Sequence, residues 1–368
     1  MMFDRRLLQN FDWILLLILM MIAAISLLNL YSATFPLQET GGLQIFTKQV
    51  YWFLIGFAVL LIMTTVDYHL LERLAYPLYV LAVLLLVIVL QVGDTRSGSQ
   101  RWLSFGGMTL QPSELAKIAV VVVLAKFFNE HGEVNDYRLR DLWLPFVLVI
   151  IPCGLILIEP DLGTALILII VSSSIFLFVG IQRNTLIILL LVGLCAAPVG
   201  WFSIKEYQQK RITTFLQPER DPLGAGYHLN QSKIAIGSGQ LWGKGYLKGT
   251  QTRLNFLPEQ HTDFAFSVLA EEWGFAGSLV LLLLYLLLTL WGINIAKISK
   301  DRFGAIIALG IIAFVFWQFI INVSMTTGLV PVVGIPLVMM SYGGSSTTAT
   351  MAGMGLLMNI SMRRFMFQ

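Results

Sequence analysis

Three groups of ionisable residues stand at the ends of long apolar stretches, where a charge is costly and usually serves a function. Glu114 and Lys117 open one stretch, Glu159 and Asp161 flank a turn between two others, and Asp263 opens a fourth. A positioned carboxylate can act as a general base and contribute about 10²–10⁴ in rate. A neighbouring cation can stabilise charge on a leaving group. The pattern therefore predicts a polar cavity with functional side chains at one end of a set of helices.

Each of these residues also has a purely structural interpretation. Glu114 and Lys117 are three positions apart and can pair on one helix face. Asp161 and Asp263 each precede an apolar run and can cap its helix. His261 can satisfy a local hydrogen bond. From the residues alone, both interpretations stay open.

The composition excludes a water-soluble protein. Of 368 residues, 57% are hydrophobic and only 12% are charged, whereas a soluble domain carries roughly a quarter charged residues. Unbroken apolar runs such as 13–30 and 279–290 also exclude a transmembrane β-barrel, whose strands alternate apolar and polar residues. A net charge of +3 is too small to indicate nucleic-acid binding. The four histidines lack metal-ligand spacing, and the two cysteines lie in apolar runs and predict no disulfide.

The apolar stretches predict an all-α polytopic membrane protein with about ten transmembrane helices in a single integral membrane domain over residues 1–368. The first stretch is too long for the core of a signal peptide and is interpreted as a span. One long outer loop, about 203–263, separates spans seven and eight. The predicted cores are 12–32, 49–66, 75–92, 113–128, 143–158, 162–181, 185–203, 264–296, 303–326 and 341–362.

The lysines and arginines of the short loops predict the orientation. With both termini in the cytoplasm, the inner side holds twelve of them and the short outer loops hold three. The twelve are Arg5, Arg6, Arg73, Lys126, Arg138, Arg140, Arg183, Lys297, Lys300, Arg302, Arg363 and Arg364, and the three are Lys48, Arg96 and Arg101. The candidate carboxylates then lie at outer helix ends, around a polar cavity that opens outward.

The long loop contains a short amphipathic segment around 229–236 and a glycine-rich stretch, 237–245. The glycines match neither the GxGxxG nor the GxxxxGK[ST] phosphate-binding pattern. Lysines and an arginine form a basic strip that suits lipid phosphates, or equally a solvated loop face. The strip consists of Lys233, Lys244, Lys248 and Arg253.

Longer motifs resemble those of the SEDS family (shape, elongation, division and sporulation) over essentially the whole chain. They are Gly98-Ser-Gln-Arg-Trp102, Gln111-Pro-Ser-Glu-Leu-Ala-Lys117, Thr252-Arg-Leu-Asn-Phe-Leu-Pro-Glu-Gln-His-Thr-Asp-Phe-Ala-Phe266, Glu271-Glu-Trp-Gly274, Pro331-Val-Val-Gly-Ile-Pro336 and Ser341-Tyr-Gly-Gly-Ser-Ser346. A short N-terminal segment favours an elongation member over a division member.

The resemblance implies a peptidoglycan glycosyltransferase in the bacterial cytoplasmic membrane, with its active site facing outward. Such an enzyme polymerises lipid II, releases undecaprenyl diphosphate, and works with a class B penicillin-binding protein and other membrane proteins of the elongation complex. The family's essential aspartate falls at Asp263, and its QPSE-x-x-K residues fall at Glu114 and Lys117. We therefore expect Asp263 to be the base. Lys117 is expected to stabilise the diphosphate or to be the partner of Glu114.

Further residues of these motifs are expected to support substrate binding. They are Arg101, Trp102, Glu159, Glu259, His261 and Lys244, with Arg211 and Arg220 as weaker candidates for phosphate contact. No dedicated metal site can be identified, although a divalent cation, Mg²⁺ or Mn²⁺, can assist the diphosphate. A lipid II flippase and a non-catalytic scaffold for cell-wall enzymes are the alternatives. The outer position of the carboxylates disfavours both.

Overall fold

The computed structural model describes residues 10–96, 99–105, 108–132, 136–203, 206–217, 224–257 and 259–364. In these ranges the chain forms thirteen α-helices, one 3₁₀ turn at Phe35–Thr40 and three short strands. The helices are α1 Trp13–Thr34, α2 Gly42–Thr65, α3 Tyr68–Val92, α4 Pro112–Glu130, α5 Trp143–Ile158, α6 Leu162–Val179, α7 Arg183–Ser203, α8 Glu206–Leu216, α9 Ala225–Ser238, α10 Thr250–Arg253, α11 Ala265–Ile298, α12 Arg302–Thr327 and α13 Gly344–Arg363.

A helix lies at each of the ten predicted apolar stretches, so the helical, multi-pass character of the chain is confirmed. Among the described residues, six helices are long and apolar enough to cross a membrane: α1, α2, α3, α6, α11 and α12. Helix α5 and the first part of α7 are apolar but shorter. Helix α4 carries four charged residues. The number of spans and the side on which the termini lie stay predictions.

Aspartates begin four of these helices. In each case the carboxylate accepts a hydrogen bond from a backbone N–H of the first turn, which satisfies a donor that has no partner within the helix. The four are Asp12 at α1, Asp67 at α3, Asp161 at α6 and Asp301 at α12. The predicted capping role of Asp161 is therefore confirmed.

The centre of the bundle is built from α4, α12 and α13. In the most apolar window of α12, 72% of the residues are buried, against 22% for α2 at the periphery. The central helices carry the polar side chains that hold the candidate site. The outer helices expose leucine, isoleucine and valine side chains, as expected for surfaces that face lipid.

A small antiparallel sheet lies between α3 and α4, where the sequence predicted only a short outer loop. Its strands are β1 Asp94–Arg96, β2 Ser99–Phe105 and β3 Met108–Leu110, in that order. Asp94 is opposite Trp102, and Leu103 is opposite Leu110. Strands this short carry too few alternating residues to stand out in the sequence.

Helix α11, predicted as one continuous span, is interrupted at Gly274 (φ 65°, ψ −162°). Residues 240–245, which belong to the glycine-rich stretch 237–245, lie in the break. Their backbone forms hydrogen bonds with the backbone N–H and C=O groups of α11 that have no partner within the helix. A Cβ on Gly274 would lie 2.3 Å from the nitrogen of Gly243, so the close approach requires glycine. The bonds are Lys244 N–H to Glu271 O (3.0 Å), Gly245 N–H to Glu272 O (3.0 Å), Phe275 N–H to Gln240 O (2.8 Å) and Ala276 N–H to Leu241 O (3.0 Å).

The predicted orientation can be measured with single-cysteine reporters. We expect Lys248→Cys to react with an impermeant maleimide added outside intact cells, because Lys248 is exposed in the long loop. Asp136→Cys and Ser299→Cys should react only after permeabilisation, because they lie in loops that the charge bias places inside. Labelling of Asp136→Cys in intact cells would contradict the orientation.

Candidate functional site

Asp263 lies at the junction between the long loop and α11. Its backbone carbonyl accepts a hydrogen bond from Asn322 Nδ2 (3.0 Å), and the same amide donates to Ile335 O (2.7 Å). The residue that caps α11 is Phe264, with no side-chain capping bond. The capping interpretation of Asp263 is therefore wrong, because its carboxylate does not cap α11.

The segment between α12 and α13, residues 329–343, returns into the bundle without forming a helix. Non-helical backbone at this depth requires internal hydrogen bonds. Polar side chains of three neighbouring helices supply them. The bonds are Gln318 Nε2 to Pro336 O (2.8 Å), Ser26 Oγ to Met339 O (2.6 Å) and Tyr285 Oη to Val338 O.

Gly334 in this segment brings Asp263 and Arg211 together. It adopts φ +73°, and a Cβ placed on it would lie 3.5 Å from Asp263 Oδ2 and 3.6 Å from Arg211 Nη1. Arg211 comes from α8, a helix that the sequence did not predict. The carboxylate and the guanidinium therefore converge over one small backbone site.

Arg101, on β2, fixes the turn between α5 and α6. Its guanidinium donates to the carbonyl of Glu159 (Nε to O, 3.4 Å) and to that of Pro160. It also lies 3.7 Å from Asp161 Oδ1. The predicted residues Arg101, Glu159 and Asp161 thus form one contiguous cluster.

The cluster of Arg101, Glu159 and Asp161 lies next to the segment that carries Gly334, and therefore next to Asp263. A Cβ on Gly163, at the start of α6, would lie 3.0 Å from Val333 O, one residue from Gly334. Gln111 Nε2, just before α4, lies 3.4 Å from Asp161 Oδ2. Segments from β2, α4, α6, α8 and α11 therefore meet at one end of the bundle.

Burial raises the pKa of Asp263 to about 6 from its ordinary value of 3.8. The Glu259 carboxylate adds to this shift, Arg211 and Arg101 oppose it, and Asp161 contributes a smaller increase. The sequence left open whether desolvation or nearby cations dominates, and desolvation does. A carboxylate with this pKa is mostly ionised at neutral pH and is a stronger base than an exposed aspartate.

Glu159 is fully buried, and neither carboxylate oxygen has a hydrogen-bond partner among the described residues. Burial raises the pKa of Glu159 to about 8, with a further increase from Asp161 and an opposing effect of Arg101. At neutral pH the group is therefore mainly protonated. Its side chain is then uncharged and carries an O–H donor.

Glu159→Gln is accordingly expected to retain activity at pH 7, because the amide is also a neutral donor. The wild type should lose activity as the pH rises through about 8, when Glu159 ionises beside Asp161, and the variant should lack this alkaline decline. Parallel pH–rate profiles would measure the difference. An inactive but folded Glu159→Gln protein would mean that the carboxyl itself takes part in the reaction.

Glu114 and Lys117 form the predicted ion pair, with 2.8 Å between Oε1 and Nζ. Both are buried on α4, with 4% and 6% exposure, and lie about one to two turns beyond Gln111. The Lys117 ammonium also lies 4.2 Å from the centre of the Phe314 ring on α12. In the described part of the chain, Glu114 Oε2 has no hydrogen-bond partner.

Three other residues were predicted to support substrate binding. One lies on β2, and two lie in the loop just before Asp263. Trp102 is half-buried on β2. Glu259 is exposed and accepts a hydrogen bond from Thr262 Oγ1 (2.8 Å). The Nδ1 atom of His261 is buried with no partner within the described ranges, and burial lowers the pKa of this histidine. His261 is therefore neutral at pH 7.

Two candidates remain, Lys244 and Arg220, and their predicted contact with substrate stays a prediction. Lys244 Nζ pairs with Glu271 (2.7 Å). The same carboxylate accepts the N–H groups of Thr250 and Gln251 (2.8 and 3.1 Å). Lys244 therefore fastens the loop that fills the break in α11. Arg220 lies outside the described residues.

Among the residues that the structure describes, no three His, Cys, Asp or Glu side chains gather as a metal-binding group. Asn322 and Gln318 were missed by the sequence analysis, and Gly334 stood in the motif Pro331–Pro336 without an assigned role. Their signal was present: two amides four residues apart in the apolar run 303–326, followed by a Pro- and Gly-containing stretch.

A family model described as cell cycle protein, covering FtsW, RodA and SpoVE, matches residues 12–365. The peptidoglycan glycosyltransferase MrdB of Escherichia coli K12 is 39% identical over 358 residues, covering 97% of this chain and 95% of MrdB.

Two solved structures are also similar. One belongs to a peptidoglycan synthase complex that coordinates polymerization and crosslinking, with a TM-score of 0.83 and 31% identity, covering 96% of this chain and 98% of that one. The other is the rod shape determining protein RodA of Thermus thermophilus, with a TM-score of 0.72 and 29% identity, and the same two shares covered.

Proposed function

The chain belongs to the FtsW, RodA and SpoVE family of cell-cycle proteins, and from this premise we propose that it is a peptidoglycan glycosyltransferase that extends glycan strands. The family is the SEDS family, so the resemblance in the sequence is confirmed. The proposed substrate is lipid II, a disaccharide on an undecaprenyl diphosphate carrier. The similarity to MrdB and RodA supports a role in cell elongation.

Asp263 is the proposed general base. It takes the proton from the acceptor sugar hydroxyl while the hydroxyl oxygen attacks the anomeric carbon of the donor. The bond between that carbon and the diphosphate oxygen breaks, and undecaprenyl diphosphate leaves with the electron pair. Glycosidases need a second carboxylic acid because an alkoxide leaves poorly. A diphosphate is a far better leaving group, so one base and nearby cations suffice.

Arg211 and Arg101 are the proposed cations. A guanidinium binds phosphate oxygens through paired N–H donors. Arg211 lies beside Asp263, and Arg101 lies close enough to affect its pKa. Lys117 is occupied by Glu114 and Phe314 within α4 and α12. We assign it to supporting the site rather than to binding the diphosphate.

The observation that carries the proposal is the convergence of Asp263 and Arg211 over Gly334. This arrangement supports a mechanism in which a base and a phosphate-binding cation act on one substrate. A flippase requires a polar path through the membrane, whereas these ionisable groups meet at one end of the bundle. A scaffold does not account for a carboxylate and a guanidinium that converge over one backbone position. Both alternatives are therefore disfavoured.

We also propose the cellular setting. The chain acts as a single membrane domain in the bacterial cytoplasmic membrane, with the Asp263 site on the outer face. The peptidoglycan synthase complex among its structural relatives supports a class B penicillin-binding protein as partner, alongside other elongation proteins. A Mg²⁺ or Mn²⁺ ion, if used, would arrive on the diphosphate, since such ions commonly bind through phosphates and one or two carboxylates.

The test is polymerisation of labelled lipid II by the purified protein. We expect Arg211→Gln to lower the rate by about 10²-fold or more, as for loss of one stabilising donor. Lys210→Gln removes the same charge one position away on another face of α8 and should have little effect. Equal activity of Arg211→Gln and wild type would remove Arg211 from the mechanism. Lipid II translocation without polymerisation would favour the flippase.

A further inference from the structure

A cleft lies where the loop between α4 and α5 crosses the ends of these helices. Its volume is about 380 Å³, within the range of roughly 300–1,000 Å³ typical of small-molecule pockets. Helix α4 begins beside the Asp263 site and ends at the cleft, so the two lie about 28 Å apart along its axis. The charges of the short loops predict that this side is cytoplasmic. The lining includes Phe127, His131, Tyr137, Arg140, Asp141 and Trp143.

Aromatic side chains on a fixed backbone form the base of the cleft. Tyr137 is buried, its N–H donates to Gly180 O (3.2 Å), and its carbonyl accepts the Gln182 N–H (3.1 Å). These bonds attach the loop to the end of α6. The His131 ring stacks on Phe127, with 4.1 Å between the ring centres. The loop is therefore held in one position against the helices.

Two opposite charges lie side by side in the lining. Arg140 and Asp141 are exposed, and in the part of the chain that the structure describes no ion pair joins them to each other or to a third side chain. Asp141 Oδ2 accepts the backbone N–H of Arg138 (2.9 Å), which orients the carboxylate and leaves Oδ1 for another donor. The cleft therefore presents a cation and an anion to a ligand that carries both charges.

An exposed apolar face of α5 begins at the cleft. Trp143, Val147 and Ile150 are spaced by four and three residues and therefore share this face, and they are 64%, 40% and 63% exposed. Such a face suits acyl chains, and tryptophan is enriched at the level of the lipid headgroups. A ligand with its charged part in the cleft can thus lay an apolar part along α5, which favours a lipid over a soluble molecule.

We propose that the cleft binds the headgroup of a zwitterionic aminophospholipid, phosphatidylethanolamine. The Arg140 guanidinium donates to the phosphate oxygens, and Asp141 Oδ1 accepts an N–H of the primary ammonium. The Trp143 ring lines the same cleft and can face that cation. Phosphatidylglycerol offers Asp141 no cation, and phosphatidylcholine has no ammonium N–H to donate. The inference concerns a second site and does not rest on the proposed function.

The test is lipid binding to the full chain, delipidated in detergent and titrated in native mass spectrometry. We expect the wild type to prefer phosphatidylethanolamine over phosphatidylglycerol and phosphatidylcholine by about five-fold, the ratio that one charge contact at an exposed site can give. Asp141→Asn can still accept the Arg138 N–H but lacks the charge, so the preference should disappear. Asp136→Asn, an exposed position of the same loop outside the lining, is the matched control and should keep the preference.

Arg140→Gln tests the phosphate contact separately. It should weaken phosphatidylethanolamine and phosphatidylglycerol alike by about five-fold, whereas Arg138→Gln, outside the lining, should weaken neither. Equal affinity of the wild type for these two lipids, or an unchanged preference in Asp141→Asn, would overturn the proposal. Soluble glycerophosphoethanolamine should not displace the lipid at equal concentration. If it does, the cleft is a site for a soluble molecule and the lipid assignment is wrong.

Discussion

Asp263→Asn is expected to abolish glycan polymerisation while leaving a folded, membrane-inserted protein. Asparagine has the size of aspartate but cannot take the hydroxyl proton, so the rate should fall by about 10²–10⁴. The backbone of the residue remains held by Asn322. Gel analysis of products from labelled lipid II would measure the loss. A variant that polymerises normally would contradict the assignment and make Glu114 or Glu159 the leading candidate for the base.

The pH dependence gives an independent measurement of the same role. Because the pKa of Asp263 is about 6, the ionised fraction and kcat/KM should decline as the pH falls through that value. Glu259→Gln removes a carboxylate that raises this pKa and should move the acidic decline to lower pH. An unchanged profile would mean that another group controls it.

Stability distinguishes an inactive Asp263→Asn protein from an unfolded one. The folded state holds the Asp263 proton up to about pH 6, whereas the unfolded chain releases it near 3.8. Ionisation therefore costs the folded state stability as the pH rises through this window. The asparagine variant avoids that cost, so its Tm should exceed that of the wild type at pH 7.5. The advantage should disappear near pH 3.5.

Single changes in the Glu114–Lys117 pair are expected to have the largest effect on stability. Glu114→Gln leaves a buried ammonium without its counter-ion, and Lys117→Met leaves a buried carboxylate. Each should cost about 3–5 kcal/mol, measured as a large decrease in Tm and in purified yield. The double variant contains neither charge and should recover most of the stability.

Activity of the double variant then separates the two roles of the pair. If the pair only supports the site, Glu114→Gln/Lys117→Met should polymerise lipid II measurably, and more than either single variant. This is the result we expect, because the structure engages Lys117 with Glu114 and Phe314. A stable double variant without activity would show that the pair acts on the substrate.

The sequence predicted the helical architecture because apolar stretches of about 20 residues have few alternatives to a membrane helix. It also predicted the Glu114–Lys117 pair, because a spacing of three fixes two side chains on one face. The proximity of Arg101 to Asp161 is different, since they are 60 positions apart and meet only through the sheet between α3 and α4.

The sequence could not predict which interpretation of Asp161 and Asp263 is correct. Both precede apolar runs, yet one accepts the Thr164 N–H and the other has its backbone held by Asn322. Only tertiary contacts distinguish them. The glycine-rich stretch 237–245 was equally ambiguous. Gly243 reflects the close approach to Gly274, a position with no pairing signal in the local sequence.

The returning segment 329–343 has a consequence for biosynthesis. Ser26 in the first helix bonds to Met339, 313 residues later in the chain, and Gly334 in the same segment completes the surroundings of Asp263. The ribosome adds roughly 5–20 residues per second, so the first helix is synthesised long before the segment 329–343 to which it bonds. The surroundings of Asp263 are therefore completed only after residues 329–343 have been synthesised, and a shorter nascent chain is not expected to extend glycan.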